Sequence, residues 1–191
     1  SLMTYGMNLI LAAFGSAQTV FGIYFKLQSF VFMPVFGLNN GMVPIIAYNY
    51  GAGHKDRVIK TIKHSVAYGV GIMFVGLLAM HIFPAQLMRM FDAEESLSAI
   101  GAPALETISL SFVFAGFCIV AGSVFQALGN GVYSMIVSVA RQMCVLLPVA
   151  KLLSLSGEVT LIWWAFPIAE LASVLLTSYF LVRIYRKVIC H

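Results

Sequence analysis

Long apolar runs separated by short polar segments form the pattern of this chain. About 20 consecutive apolar residues cross the ~30 Å hydrocarbon core of a bilayer as a helix. Five runs reach that length, and a sixth at the start is shorter and is interpreted as the end of a span. The pattern therefore predicts five full spans and one partial span, over 1–14 (partial), 17–50, 60–83, 102–127, 132–153 and 160–182.

The backbone in these runs is predicted to be helical, because amide groups inside lipid must find hydrogen bonds within their own segment. A β-barrel needs alternating strands of about 10 residues, and these runs are longer and uniformly apolar. Of the 191 residues, 61% are hydrophobic and 9% are charged, against ~25% charged in a typical soluble domain. We therefore predict an all-α integral membrane protein, a transmembrane bundle of about six helices that forms a single domain over 1–191.

Charged residues lie mostly between the predicted spans, and their sign predicts the orientation of the chain. The segments 54–63 and 183–187 are basic, whereas the loop at 89–95 is net acidic. Because basic loops are retained on the cytoplasmic side, both basic segments and the C-terminus are predicted to be cytoplasmic. The prediction is a multi-pass protein of the plasma or inner membrane, with the lipid bilayer as a partner.

Several function classes are not expected. The net charge is +4, but the basic residues flank apolar runs, so no nucleic-acid partner is expected. The three cysteines include no CxxC pair, and neither a metal site nor a cofactor is expected. Paired aspartates, an HExxH motif and a serine with a nearby base are all missing from the sequence, so an enzyme is not predicted.

Four motifs, taken in order along the chain, resemble one transporter family. They are PVFGLNNGMVPIIAYNYGAGHKDR at 34–57, FQALGN at 125–130, the pair Arg141–Gln142, and WWAFPIAE at 163–170. The first resembles the signature at the end of the second helix in either lobe of multidrug and toxic compound extrusion (MATE) transporters. The order and spacing of the four resemble the C-terminal lobe of that family, the seventh to twelfth helices, with the first helix truncated.

The resemblance implies a secondary active transporter that exports small organic, often cationic, substrates in exchange for sodium ions or protons. In that family two six-helix lobes form a V around a central cavity. This chain is then expected to supply one lobe, and the N-terminal lobe or a second copy would supply the other. Because the chain begins with Ser1 inside an apolar run, we expect a fragment.

Two other functions stay open from the sequence. One is a lipid-linked saccharide flippase of the same superfamily, which would need a more cationic central cavity to hold pyrophosphate. The other is a truncated membrane fragment that packs or assembles but transports nothing.

Glu170 is the leading candidate for the substrate or ion pathway, because it lies roughly 15 Å into the last span at helical rise. An ionisable side chain at that depth is costly and suggests function. It can bind a proton, a cation or a basic substrate, or it can pair with Arg141 or Lys26 and fix the helices in register. Arg141 can instead bond a helix end or interact with Gln126. Gln28, on the second span, is a further pathway candidate.

A cluster of helix-breaking residues in the second span is the candidate hinge. It comprises Pro34, Gly37, Asn39, Asn40, Gly41 and Pro44. Proline removes an amide donor and glycine loosens the backbone, so a bend is expected, with the asparagines satisfying the freed carbonyl groups. The bend can be a hinge for lobe motion or a static kink.

One position departs from a branch of the family. The resemblance implies a carboxylate in the middle of the fourth helix of this lobe in the sodium-coupled branch, and our alignment puts Ala115 at that position. The chain therefore lacks that ligand.

Overall fold

The computed structural model describes the backbone of residues 1–189 and the side chains as far as Lys187. Within that range every regular element is helical, which confirms the predicted all-α class. The helices are α1 (Leu2–Leu11), α2 (Ala17–Gly51), α3 (Lys55–Ile82), α4 (Pro84–Arg89), α5 (Glu95–Ser109), α6 (Phe112–Ala127), α7 (Gly131–Val139), α8 (Leu147–Ser154), α9 (Val159–Ile162) and α10 (Ala165–Ile184). Short 3-10 and π-helical segments extend or join them at Ala12–Phe14, Ala140–Leu146 and Tyr185–Ile189.

Four helical stretches in the described part of the chain are long and apolar enough to cross a bilayer singly. They are Ala17–Gly51, Lys55–Ile82, Gly131–Ser154 and Val159–Lys187. Helices α5 and α6 form a fifth, bent crossing, and Leu2–Phe14 is a shorter apolar helix. The chain is therefore a multi-pass membrane protein.

The crossing predicted over 102–127 is bent in the structure. Helices α5 and α6 meet at an angle of 48°. At the bend the Ser111 hydroxyl donates a hydrogen bond of 2.6 Å to the Ile108 carbonyl, and the Ser109 hydroxyl donates one of 3.0 Å to the Glu106 carbonyl. Such bonds compete with the helical ladder and bend helices. The bend lies at neighbouring serines rather than at the proline inside α5, Pro103.

Helix α2 stays helical across both of its prolines, Pro34 and Pro44. The expectation that asparagine side chains satisfy the freed carbonyl groups is wrong, because within the described chain neither Asn39 nor Asn40 bonds the backbone. Asn49, near the helix end, does bond the backbone, but its Nδ2 donates at 2.8 Å to the Ile45 carbonyl, which neither proline frees.

Helix α2 ends in a left-handed turn. Gly53 has a φ of 74°, a conformation that glycine adopts without steric cost. The His54 amide then donates back to the Asn49 carbonyl at 2.9 Å, and the Gly53 amide donates to the Tyr50 carbonyl at 3.1 Å. These are the two hydrogen bonds of a Schellman cap. The chain turns here, and α3 begins at Lys55 and packs against α2.

The predicted crossing over 132–153 contains a π-helical segment at Ala140–Leu146. A π-helix adds a residue to each turn and often lies at a functional site. Arg141 is the second residue of this segment. The segment packs against α10, so Arg141 faces the last crossing.

The core is held together by close contact between α3 and α6, and α2 packs on both of them. A Cβ atom on Gly116 would lie 2.9 Å from the Gly69 carbonyl oxygen, so these helices approach at a distance that only glycine permits. Small residues drive such contacts in membranes, where van der Waals packing replaces the hydrophobic effect.

Candidate ion-pair site between two cavities

Glu170 is presented to the interior of the bundle by the first turns of α10. The helix begins at Ala165, and Pro167 lies in its first turn, where a missing amide hydrogen costs no helix bond. The chain enters α10 through a tight turn in which the Phe166 amide donates to the Trp163 carbonyl at 3.3 Å. The Glu170 side chain is only 11% exposed, so α10 buries a carboxylate among apolar helices.

Arg141 is the partner of this carboxylate. Its Nη1 atom donates to Oε1 of Glu170 at 2.7 Å, and 24% of the Arg141 side chain is exposed. Of the two cations considered from the sequence, the structure brings Arg141 to Glu170. A charge-assisted bond of this length is among the stronger hydrogen bonds in proteins.

The second carboxylate oxygen of Glu170, Oε2, is buried and has no hydrogen-bond partner among the described residues. A buried acceptor without a donor costs free energy, more so when it is charged. The oxygen can therefore accept a proton or coordinate a cation at a gain, while Oε1 stays bonded to Arg141. This is what the arrangement can do chemically.

A cavity of about 310 Å³ adjoins the ion pair. Glu170, Arg141, Gln28 and Ala115 line it, so the structure brings Gln28 to the same cavity as the pair. Much of the remaining wall is aromatic, formed by Tyr24, Phe25, Phe32, Phe36 and Phe166. The cavity is thus lined largely by aromatic side chains, with one carboxylate and one guanidinium in its wall.

A second cavity, of about 340 Å³, is more polar. Gln126 lines it together with Asn39, Asn40, Ser123, Ser134, Ser138, Ser173 and Thr177. Arg141, Phe36 and Ile119 line both cavities, so the guanidinium lies where the two approach each other. The interaction considered between Arg141 and Gln126 does not form: Gln126 Nε2 donates instead to the Ser134 hydroxyl at 3.2 Å.

Lys26 lies away from the ion pair. Its side chain is exposed, and its Nζ atom lies 5.7 Å from the centre of the Phe91 ring. Lys26 lines neither of the two cavities. A lysine held over an aromatic ring gains a modest electrostatic attraction, so this cation stabilises the packing of the loop at 89–95 against α2.

The candidate hinge residues lie in three different environments in the structure. Asn39 and Asn40 face the polar cavity, and the buried Oδ1 of Asn39 has no hydrogen-bond partner in the described chain. Gly37 and Gly41 border a different groove, between α2 and α3. Pro34 and Pro44 are exposed and line neither cavity at the ion pair.

The polar face of α10 was not recognised from the sequence beyond Glu170. Ser173 and Thr177 line the polar cavity, and each hydroxyl donates to the Cys118 sulfur, at 3.4 Å and 3.8 Å. Residues 170, 173 and 177 are spaced by three and four, which aligns them on one face of a helix. That spacing was the available signal.

Together these features define a class of protein: a multi-pass helical bundle with a buried ion pair between an aromatic and a polar cavity. The MatE family profile matches residues 1–152, and the chain belongs to the MatE family. The chain is 28% identical over 165 residues to the multidrug export protein MepA of Staphylococcus haemolyticus (strain JCSC1435), across 86% of this chain and 36% of that protein. MepA of Staphylococcus aureus (strain N315) is similar, with 28% identity over 166 residues and the same coverage.

Solved MATE structures share the fold. A mutant of the Vibrio cholerae MATE transporter VcmN superimposes with a TM-score of 0.91 at 18% identity, over all of this chain and 44% of that one. The MATE multidrug transporter DinF-BH, in complex with R6G, gives a TM-score of 0.80 at 32% identity, over 95% of this chain and 41% of that one. The chain spans about a third of the length of the curated relatives it matches.

Proposed function

We propose that this chain is the C-terminal lobe of a secondary active transporter that exports organic, often cationic, compounds in exchange for sodium ions or protons. Membership of the MatE family and similarity to multidrug export proteins support the transport of drugs. The single observation that carries the proposal is the Arg141–Glu170 pair, whose second carboxylate oxygen lies buried and unpartnered beside a cavity of about 310 Å³.

Coupling occurs at Glu170 in this proposal. A proton or sodium ion that binds the carboxylate neutralises it and weakens its attraction to Arg141. Because Arg141 also lines the polar cavity, its guanidinium can then turn toward the amides and hydroxyls there, Gln126 among them. The pair is thus a two-state element that the coupling ion biases, which is what a transport cycle requires.

The position of Ala115 supports this role for Glu170. Ala115 stands where the resemblance implies a carboxylate in the sodium-coupled branch, and it lines the same cavity as Glu170. The carboxylate of this chain therefore reaches that cavity from α10 instead of α6. A coupling ion needs a carboxylate in the cavity, and either helix can provide it.

The substrate binds the aromatic cavity in this proposal, with Gln28 as a polar contact. Rings such as Tyr24 and Phe166, whose centres lie 5.8 Å apart, can hold organic cations through their π faces. R6G, the compound in the DinF-BH complex, is a reasonable first substrate to test. The second lobe, supplied by an N-terminal half or a second copy, completes the binding site.

The hinge and the orientation complete the proposal. Phe36 of α2 lines both cavities, so a change in bend between Pro34 and Pro44 would alter both at once. In the proposed orientation, the basic segments and the C-terminus face the cytoplasm.

A flippase for lipid-linked saccharides receives less support. Such a protein needs excess positive charge to hold pyrophosphate, yet among the described residues Arg141 is the one lysine or arginine that lines the two cavities, and Glu170 offsets its charge. A truncated fragment that transports nothing remains the outcome to test against.

The test measures ethidium and R6G efflux from cells that lack their own efflux pumps, with and without sodium and proton gradients. The chain is expressed alone and together with an N-terminal lobe. Glu170→Gln is expected to reduce gradient-dependent efflux to the background of untransformed cells, because a neutral amide cannot exchange a coupling ion. The matched control is Glu106→Gln, which removes an exposed carboxylate and is expected to transport normally.

Normal efflux by a well-expressed Glu170→Gln protein would remove this residue from coupling. Absence of efflux from the unsubstituted chain, even with an N-terminal lobe, would favour the non-transporting fragment.

A further inference from the structure

A small apolar groove lies at the end of the bundle where α3 begins and α10 ends. It has a volume of about 130 Å³. Its apolar walls come from three elements: Ile59, Ile62, Val124, Leu128, Leu181 and Ile184. Lys63 and Tyr185 complete its lining. The groove thus combines an apolar lining with one lysine and one tyrosine.

The same end of the molecule is strongly basic. The first turns of α3 and the end of α10 bring seven cations to this end: Lys55, Arg57, Lys60, Lys63, Arg183, Arg186 and Lys187. Asp56 is the one acid in these two segments. The ion pair found in the described chain is Arg141–Glu170, so Asp56 forms no close ion pair with these cations. Seven cations against one acid leave a surplus of positive charge that is complementary to an anionic partner.

We propose that this groove binds an anionic phospholipid, with part of one acyl chain in the apolar groove and the headgroup phosphate at Lys63. A phospholipid combines an acyl chain with an anionic headgroup, which matches an apolar groove beside the basic end of a membrane bundle. Basic pockets between transmembrane helices bind anionic headgroups. Tyr185 suits the boundary, because tyrosine favours the level of the headgroups.

The simpler explanation is that these cations only set the orientation of the chain. If the cations only set the orientation, their number matters, and removing any one of them should have the same effect. A lipid site depends on Lys63 in particular. Lys60, one turn earlier on α3, borders the separate groove next to Gly37 and His64. Lys60→Gln therefore removes the same charge from the same helix and is the matched control.

The experiment measures lipid binding by native mass spectrometry of the full chain in a neutral detergent, with dioleoyl phosphatidylglycerol and dioleoyl phosphatidylcholine as probes. Phosphatidylglycerol is expected to bind more tightly. Lys63→Gln is expected to weaken its binding about fivefold, the effect of one lysine near an anionic lipid surface. Lys60→Gln is expected to leave the binding within about twofold of the original, because Lys60 lines the other groove and not this one.

A second variant tests the apolar half of the site. Leu181→Trp fills the groove, whereas Leu175→Trp adds the same ring on α10 at a position that is 75% exposed. Binding of phosphatidylglycerol is expected to fall with the first variant and to persist with the second. Dihexanoyl phosphatidylglycerol, whose chains are short, is expected to bind less well than the dioleoyl form, and free glycerol phosphate is not expected to compete.

Three results would overturn the proposal: equal binding of the two dioleoyl lipids, equal losses in the two lysine variants, or undiminished binding by Leu181→Trp. Competition by glycerol phosphate would show that a soluble phosphate, and no lipid, is the ligand. Should Lys63→Gln fail to fold, the two tryptophan variants decide the question alone.

Discussion

The centre of the bundle and its basic end hold charged residues in opposite situations. At the centre, Arg141 lies 2.7 Å from Glu170 and both side chains are largely buried. At the basic end, Lys60 and Lys63 are exposed, with no carboxylate partner in the described chain. Lys26 lies between these extremes, exposed but held over a ring. The comparison teaches that burial decides what a charge costs when its partner is lost.

The largest effect is expected from breaking the central pair. Arg141→Gln leaves a buried carboxylate without its counter-charge, which typically costs about 3–5 kcal/mol of folding free energy. Adding Glu170→Gln removes the stranded charge and is expected to recover most of that loss. The measurement is the free energy of unfolding of all four proteins in a double-mutant cycle in detergent.

Lys151→Gln is the control for this cycle, because it removes an exposed cation from the same crossing and is expected to change stability by less than about 1 kcal/mol. Additive losses at Arg141 and Glu170 would mean that the two side chains do not stabilise each other.

A smaller effect is expected from moving the carboxylate across the cavity. Ala115→Asp in the Glu170→Gln protein puts an acid at another position in the wall of the cavity that Arg141 lines. We expect it to recover on the order of 1 kcal/mol of stability and part of the efflux, offset by the cost of a larger side chain at a packed position. The control is Ala115→Asn, which adds the same volume without charge. Equal behaviour of the two variants would show that charge in the cavity is not what matters.

The smallest effect is expected at Lys26. Its contact with the Phe91 ring should contribute about 0.5–1 kcal/mol, as exposed cation–π pairs do. A double-mutant cycle with Lys26→Met and Phe91→Leu measures this coupling. Efflux should be unaffected, since Lys26 lines neither cavity. Loss of efflux in a stable Lys26→Met protein would instead show that this lysine contributes to transport.

The positions of the helix bends were only partly predictable from the local sequence. Two prolines in α2 predicted a bend, and the helix continues through both of them, from Ala17 to Gly51. The crossing that bends by 48° does so beside Ser109 and Ser111, where no bend was predicted. Serine bends a helix only when its hydroxyl bonds a backbone carbonyl, and that choice depends on the rotamer and its neighbours.

The sequence by itself determined the membrane class, the all-helical architecture and the approximate extent of the apolar crossings. These follow from the solvent, because lipid admits only apolar side chains and internally bonded backbone, whichever neighbours the helices have. It also singled out Glu170, since a carboxylate within an apolar run is visible without any structure.

Only the tertiary structure decided that Arg141 and not Lys26 meets Glu170, and that Ser173 and Thr177 continue the polar face of α10. A π-helical segment puts Arg141 opposite α10. The reason is physical: an ion pair depends on atoms within a few ångströms of each other, and helices 29 residues apart in sequence reach that distance only through the packing of the whole bundle.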